Sequence, residues 1–249
     1  MIIVKTESEQ ESMRRACLTA SLVLDGIVGI VRPGVTTMEL DEVAAQLMKA
    51  NGAISAFLGY KSFPRHTCIS VNDEVVHGLA GGRRLKYGDL VSLDVGVICG
   101  GFIGDLARTI PVGGCSVEAQ RLMDITEKSL YLGIAQAVSG NRVCDISRAV
   151  QLEVENNGYS IVREFVGHGV GKSLHEDPQI PNFVETNASP RLCPGMTLAI
   201  EPMVNAGAAD VKVLKDGWTV VTEDGSLSAH FEHTVLVTKG EPEVLTWHG

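Results

Sequence analysis

The stretch Gly88-Asp-Leu-Val-Ser-Leu-Asp94 runs from a glycine through a short apolar segment to a carboxylate. The stretch Gly195-Met-Thr-Leu-Ala-Ile-Glu201 repeats this arrangement in the second half of the chain. Other landmarks recur at nearly the same spacing, namely Gly34 with Gly140 and Asn51-Gly52 with Asn157-Gly158. The repetition indicates two α+β halves related by a pseudo-twofold axis. Chance similarity between short glycine-containing segments is the alternative.

Each half is predicted to begin with two helices and to continue with strands. Ser8-x-x-Glu11 matches a capping box ahead of an amphipathic pattern that ends at Pro33-Gly34. Thr36-x-x-Glu39 caps a second helix, which runs to Met48 and is closed by Asn51-Gly52. In the second half, helices are expected over residues 116–138 and 145–156. Strand composition is found at residues 68–71, 89–99, 102–112, 161–166, 196–204, 218–222 and 230–238.

Length and composition are those of an ordinary globular protein. The chain has 249 residues, of which 45% are apolar and 20% charged. A chain of this length can bury a substantial core. We expect a single domain over residues 1–249, with internal halves at about 7–112 and 116–240.

Charge and cysteine usage exclude several classes of function. The net charge of −9 and the lack of a basic run argue against a nucleic-acid partner. No apolar run is long enough to span a membrane, and residues 1–10 do not resemble a signal peptide. The six cysteines are scattered without a CxxC pair, so reduced thiols are expected. These features predict a cytoplasmic location.

Two aspartates lie in a predicted hairpin. Asp94 follows the apolar segment Leu90-Val-Ser-Leu, and Asp105 lies on the next strand. A two-residue loop at Cys99-Gly100 would place the two carboxylates directly opposite, and a loop at Gly100-Gly101 would place them one diagonal apart. In both cases they share one face of the sheet and repel each other unless a cation lies between them. A pair of exposed edge-strand aspartates is the alternative.

Two glutamates repeat the pattern in the second half. Glu201 lies in Leu198-Ala-Ile-Glu-Pro-Met-Val, and Glu232 lies in His230-Phe-Glu-His-Thr-Val-Leu-Val. Taken singly, each is an ordinary strand glutamate. A pseudo-twofold axis would bring all four acids to one centre.

Histidine adds a nitrogen donor to this set. His168 is flanked by glycines in Gly167-His-Gly-Val-Gly171, while His175 and His77 are further candidates. A lone histidine more often has a structural role. Each of these histidines is therefore a metal-ligand candidate only if the fold places it beside the acids. Four carboxylates and an imidazole suit divalent Mn, Fe, Co or Zn, and two ions rather than one. Gly169-Val-Gly-Lys-Ser resembles a phosphate-binding loop, but Val166 stands where that pattern requires glycine.

The ordered set Asp94, Asp105, His168, Glu201 and Glu232, with His77 and His175, resembles the methionine aminopeptidases of the pita-bread fold. The likeness covers about residues 5–245 and is carried by Cys68-Ile-Ser-Val-Asn-Asp-Glu-Val-Val-His-Gly, Asp94-Val-Gly, Gly167-His-Gly-Val-Gly and His233-Thr-Val-Leu-Val. Type I members are the more similar, because no helical insertion separates His175 from Glu201. The resemblance implies an α+β fold whose two halves share a central antiparallel sheet covered by helices.

The activity that the resemblance implies is removal of the N-terminal methionine from peptides and nascent proteins by a dinuclear-metal hydrolase. Asp94 would chelate one divalent ion, and Asp105 and Glu232 would bridge both. The other ion would be held by His168 and Glu201. A metal-activated hydroxide would attack the first peptide bond.

The catalytic roles implied by the same resemblance fall on three residues. Glu201 would carry a proton to the leaving amine. His175 would stabilise the oxyanion, and His77 would hydrogen-bond the substrate near the scissile amide.

The methionine pocket is also assigned by resemblance. It maps onto Phe57, Tyr60, Phe63, Cys68, Leu174 and Trp218. Phe57 stands where a small residue is common in the family and Leu174 where an aromatic is common, so the pocket is expected to be reshaped. Core packing is the alternative for Phe57, Leu174 and Trp218.

Further expectations from the resemblance are a monovalent cation near Asn72 and Ser228, a monomeric state and transient association with the ribosome. Three other functions are alternatives to this one, and each requires a different sequence feature. An X-Pro peptidase of the same fold would usually carry a large N-terminal domain, a non-catalytic peptide-binding relative would lack metal ligands, and an NTPase would need the phosphate loop.

Overall fold

The computed structural model describes residues 1–185 and 189–247. Its helices are α1 (Glu7–Val28), α2 (Thr37–Ala50), α3 (Val117–Ile134) and α4 (Val143–Asn156), and Tyr60–Ser62 forms a short 3-10 turn. Its strands are β1 (Ile54–Ser55), β2 (Cys68–Val71), β3 (Glu74–Val76), β4 (Leu90–Cys99), β5 (Phe102–Pro111), β6 (Ser160–Ile161), β7 (Gly167–Gly169), β8 (Glu176–Ile180), β9 (Thr197–Ile200), β10 (Met203–Asn205), β11 (Val211–Val213), β12 (Val220–Thr222), β13 (Ser228–His230), β14 (Glu232–Leu236) and β15 (Glu243–Val244).

A central antiparallel sheet joins the two halves of the chain. Its strand order is β1-β4-β5-β14-β9-β7-β8, with β2 added beside β4 and β15 beside β14. The central pair, β5 with β14, takes one strand from each half. Helix α1 packs on β4 and β5, while α3 packs on the strands of the second half. The predicted α+β pita-bread fold is therefore confirmed.

The first helix begins earlier than predicted. The capping box is formed by Thr6 and Glu9, not by Ser8 and Glu11. Both pairs match the sequence pattern, but the chain just before Thr6 is fixed in place. The Lys5 amide donates to Gly195 O at 2.8 Å, and the buried Lys5 ammonium lies 2.6 Å from a Glu176 carboxylate oxygen. The second helix begins as predicted, with a capping box between Thr36 and Glu39.

The hairpin of β4 and β5 turns at Gly100-Gly101, the second of the two loops considered. Cys99 pairs with Phe102, and both glycines have positive φ, at 58° and 81°. A two-residue turn with two positive φ angles matches the twist of the strands, and glycine adopts it without steric cost. Asp94 consequently faces Ala107, and Asp105 faces Gly96. The two aspartates lie on one face, one diagonal apart.

The two long strands predicted in the second half are each broken in two. Residues 196–204 divide into β9 and β10, and residues 230–238 divide into β13 and β14. The outer pieces, β10 and β13, pair in a separate small sheet, yet the register is the same on both sides of the break. Because Ile200 pairs with His233 and Met203 with His230, Glu201 lies opposite Glu232. The break therefore lies at the two predicted glutamate ligands, where Pro202 has no amide hydrogen to donate.

Other boundaries also differ from prediction. The strand expected over residues 161–166 is reduced to β6 (Ser160–Ile161), because the chain beyond Ile161 leaves the sheet and lines a cavity. The strand expected from Trp218 begins at Val220, because the Asp216 carboxylate accepts the amides of Trp218 and Thr219 in a turn. Helices α1 and α3 end before residues 33 and 138, and α4 begins two residues before 145.

Candidate metal centre

One cavity of about 320 Å³ lies between the two halves. Every residue that the sequence nominated as a ligand, a catalytic group or a substrate contact lines it. Its lining combines a cluster of acids and histidines with aromatic and aliphatic residues. The nominated residues that line it are Phe57, Tyr60, Phe63, Cys68, His77, Asp94, Asp105, His168, Leu174, His175, Glu201, Trp218 and Glu232.

The ligand candidates come from neighbouring strands of the central sheet. Asp105 lies on β5, Glu232 begins β14 and His168 lies on β7. Potential ligand atoms of these three lie within 4.8 Å of one another. His168 Nε2 is 3.9 Å from Asp105 Oδ2 and 3.3 Å from Glu201 Oε1. The cluster forms because β5 pairs with β14, β14 with β9, and β9 with β7, which brings together residues far apart in the chain.

Several oxygens of the cluster are buried without a hydrogen-bond partner. These are Asp94 Oδ1, Asp105 Oδ1 and Glu232 Oε1. A buried carboxylate without a partner is costly, and buried charges in proteins are normally paired or bound to a metal. The donor set is oxygen-rich with added imidazole nitrogen, which divalent transition ions accept. The residues therefore fit a cationic group at this end of the cavity.

The pKa values of the carboxylates also indicate a site for a cation. Burial raises the pKa of Asp105 well above its ordinary value, and the nearby Asp94 raises it further. Burial and then Asp105 raise the pKa of Glu201, and burial and then three neighbouring acids raise the pKa of Glu232. A bound cation would reverse these effects, because opposite charge favours the ionised carboxylate.

His168 presents a free lone pair to the acids. Its Nδ1 lies 3.0 Å from the Gly169 carbonyl oxygen, which can only accept, so Nδ1 carries the ring proton. Burial lowers the pKa of His168 to about 3, which keeps the ring neutral. A neutral imidazole with one nitrogen fixed by a carbonyl is the usual form of a metal-binding histidine.

His175 and His77 lie beside the cluster rather than in it. The His175 ring is 4.3 Å from the His168 ring, and its Nδ1 is 2.7 Å from the Tyr60 hydroxyl. His77 packs edge-on against Phe165 at 5.3 Å and Trp218 at 6.4 Å between ring centroids. Burial lowers the pKa of His77 to about 4 and also lowers that of His175, so both rings are neutral near pH 7.

The apolar part of the cavity is a set of touching aromatic rings. Phe63 lies between Phe57, at 6.4 Å, and Trp218, at 5.0 Å, with both contacts edge-to-face. Cys68 pairs with Asp94 across β2 and β4, so the thiol marks where the apolar wall meets the acids. Leu174 is buried in the same apolar cluster and also lines the cavity. These residues pack against one another and also line the cavity, and their contact with a substrate stays a prediction.

His230 was missed by the sequence reasoning. It lies at the end of β13, is 2% exposed, and its Nε2 is 3.6 Å from Glu201 Oε2. A potential ligand atom of His230 lies within 4.8 Å of those of Glu201 and Glu232. Its position two residues before Glu232 in an apolar strand was a signal that could have been used.

The polar groups proposed for a monovalent cation are already bonded to protein. The Ser228 amide donates to Asn72 O at 2.9 Å, and the Ser228 hydroxyl is 2.9 Å from Asn205 Oδ1. The Asn72 side chain bonds to Asp89 and to the Leu90 amide. The cation at this position stays a prediction.

The fold and site define a class of protein, a metal-dependent peptidase. A family model for metallopeptidase family M24 matches residues 11–239, and the chain belongs to this family. Among its relatives, methionine aminopeptidase 1 of Bacillus subtilis (strain 168) is 50% identical over 246 residues and 99% of each chain. The methionine aminopeptidase of Clostridium perfringens is 51% identical over the same share of each chain.

Solved structures also show similarity to a methionine aminopeptidase. The crystal structure of methionine aminopeptidase from Thermotoga maritima matches with a TM-score of 0.97 and 42% identity, over all of both chains. Prolidase from Pyrococcus furiosus matches with a TM-score of 0.80 and 26% identity, but this chain covers only 66% of that one. The chain is therefore more similar to the methionine aminopeptidase structure than to the prolidase structure, both in sequence identity and in the share of each chain that is covered.

Proposed function

We propose that this protein is a metalloaminopeptidase that removes the N-terminal methionine from peptides and nascent proteins. The observation that carries the proposal is the group of buried, unpartnered carboxylate oxygens in a cavity that is also lined by aromatic and aliphatic side chains. Full-length similarity to methionine aminopeptidases at about half identity supports the choice of substrate. The whole chain would act as one catalytic domain.

The centre would hold two divalent ions, drawn from Mn, Fe, Co and Zn. The residues that would hold them are Asp94, Asp105, His168, Glu201 and Glu232. Bound ions would supply Lewis acidity and make a water molecule acidic enough to act as a nucleophile near neutral pH.

Glu201 would act as the proton carrier. Its side chain lies beside both His168 and His230, and a carboxylate in this position can accept a proton and release it again. The proton would be taken from the attacking water and delivered to the leaving amine. The neutral rings around it would not compete for that proton.

His175 would stabilise the oxyanion that develops on the scissile carbonyl. When the Tyr60 hydroxyl donates to Nδ1, the ring proton lies on Nε2, which is then free to donate to the substrate. His77, held by Phe165 and Trp218, would hydrogen-bond the substrate near the scissile amide. Both would contribute through preorganised donors in a water-poor cavity.

The methionine side chain would occupy the space bounded by Phe57, Tyr60, Phe63, Cys68, Leu174 and Trp218. An apolar cavity with a few polar groups at one end suits a thioether side chain next to a free amine. Thus the apolar wall would select the side chain, and the acidic end near Asp94 would receive the α-amine.

The remaining assignments follow from this function. The protein would act as a monomer in the cytoplasm, where nascent chains emerge, and would associate transiently with ribosomes. Among the residues that the structure describes, no helix is both long and apolar enough to cross a membrane.

The experiment is methionine release from a Met-Ala-Ser peptide by metal-stripped protein with Mn, Co, Fe or Zn added back. Release that needs a metal and stops when the peptide N-terminus is acetylated is expected. Cleavage of Ala-Pro peptides in place of Met-Ala-Ser would identify an X-Pro peptidase instead. Folded protein that binds no metal and releases nothing would contradict the enzyme assignment.

A further inference from the structure

His230 is fixed in position by both halves of the fold. Its strand pairs with β10, where His230 is opposite Met203. Its amide donates to the Thr109 hydroxyl at 2.9 Å, and that hydroxyl lies 2.8 Å from the His230 carbonyl oxygen. Thr109 lies on β5, in the other half of the chain. The imidazole is therefore directed into the cavity from a rigid backbone.

The Nε2 atom of this ring is buried and has no hydrogen-bond partner. Its nearest acidic neighbour, Glu201 Oε2, is 3.6 Å away, beyond normal hydrogen-bonding distance. A buried polar atom left without a partner costs about 1–3 kcal/mol. The other members of the cavity with unpartnered atoms are the proposed metal ligands Asp94, Asp105 and Glu232.

The distance between His230 Nε2 and Glu201 Oε2 is slightly longer than the distance between two ligands of one ion. Atoms that each lie about 2.1 Å from a common ion are about 3.0–3.4 Å apart in octahedral or tetrahedral arrangements. His168 Nε2 is 3.3 Å from Glu201 Oε1, and His230 Nε2 is 3.6 Å from Glu201 Oε2. The two imidazoles thus approach the two oxygens of the same carboxylate.

We propose that His230 is an additional metal ligand, which joins Glu201 and Glu232 in holding one of the ions through Nε2. This inference rests on the proposed metallopeptidase function. It makes the centre asymmetric, with two imidazoles at the Glu201 side and only carboxylates at the Asp94 side. Imidazole favours Zn and Co, whereas carboxylate favours Mn. The Glu201 side would therefore bind Zn or Co more tightly than a site with one imidazole.

Metal affinity gives the first test. Wild-type, His230→Gln and His66→Gln proteins are stripped, and Zn, Co and Mn binding is measured by chelator competition. His66 is a matched control, because it is a partly exposed histidine outside the cavity lining. We expect His230→Gln to weaken Zn and Co binding at one site about 10- to 100-fold, with a smaller effect on Mn. Unchanged affinities in folded His230→Gln would overturn the proposal.

A direct readout comes from proton NMR of the Co-loaded wild-type protein. Each coordinated imidazole gives a strongly shifted ring N–H proton, so two are expected, from His168 and His230. His230→Gln should leave one, and His66→Gln should leave both. A single shifted imidazole proton in the wild type would show that His230 does not coordinate, whether or not the variant folds. If the wild type binds no metal at all, the proposed function fails, which is distinct from failure of the His230 assignment alone.

Discussion

Replacement of Glu201 by glutamine separates the chemical role of this carboxylate from its structural one. The amide has nearly the same shape, and its single oxygen can still approach the His168 side, where Glu201 Oε1 now lies 3.3 Å from Nε2. It cannot accept and release a proton. Loss of a positioned acid–base group lowers kcat by about 10²–10⁴-fold. That corresponds to about 3–5 kcal/mol in the activation free energy.

The same substitution, which lowers kcat, should raise the thermal stability of the metal-free protein. Burial, and then the charge of Asp105, raises the pKa of Glu201 above its ordinary value of 4.5. A carboxyl whose folded pKa is raised stabilises the fold only while protonated, so its contribution falls as the pH rises above about 4.5. The neutral amide avoids this loss. In EDTA, Glu201→Gln should therefore have a higher Tm than the wild type at pH 7.5, and the difference should shrink toward pH 4.

The assay is methionine release from Met-Ala-Ser at measured metal content, with calorimetry in EDTA at both pH values. Glu223→Gln is the matched control, because Glu223 is exposed and lies outside the cavity. A fully metal-loaded Glu201→Gln protein that retained more than a tenth of the wild-type kcat would refute the proton-carrier role. A metal-free variant that was less stable than the wild type at pH 7.5 would refute the electrostatic reasoning.

Further predictions concern the cavity walls and the metals. Tyr60→Phe removes the hydroxyl 2.7 Å from His175 Nδ1 and should lower kcat about 2- to 10-fold, the value of one hydrogen bond; unchanged steady-state kinetics would show that the contact does not orient the ring. Phe57→Ala should admit bulkier N-terminal residues, and a panel of X-Ala-Ser peptides with an unchanged preference would exclude Phe57 from the pocket wall. Gly96→Ala would bring a methyl group against the Phe57 ring, so it should destabilise the protein by about 1–3 kcal/mol, and the same change should cost less in a Phe57→Ala background, as measured by urea unfolding. Metal at 100 times its Kd should stabilise the fold by about 2.7 kcal/mol, seen as a lower Tm after EDTA treatment; equal Tm values with and without metal would argue against a buried centre.

Local patterns account for much of what could be predicted. The hairpin that carries Asp94 and Asp105 follows from two adjacent glycines between apolar strands, since few other residues tolerate two positive φ angles. The second helix follows from the Thr36 and Glu39 capping box. These features depend on groups that are neighbours in the chain, so the sequence contains their cause.

The predicted element boundaries were wrong where two local sequence patterns were equally good and contacts with distant residues selected one of them. Thr6 and Ser8 both begin a valid capping box, and the contacts of Lys5 with Gly195 and Glu176 decide between them. The strand predicted through Glu201 breaks because the chain changes sheets there, which depends on strands from elsewhere in the fold.

By itself, the amino-acid sequence determined the α+β class and the order of the acids and histidines, because periodicity, turn residues and spacing are properties of the chain. Only the tertiary structure decided which of these groups meet. Pairing of β5 with β14 across the two halves brings Asp105 near Glu232, and pairing of β13 with β10 brings His230 near Glu201. Tyr60 reaches His175 in the same way, although 115 positions separate them. Contacts of this kind are set by packing between halves, which no local pattern encodes.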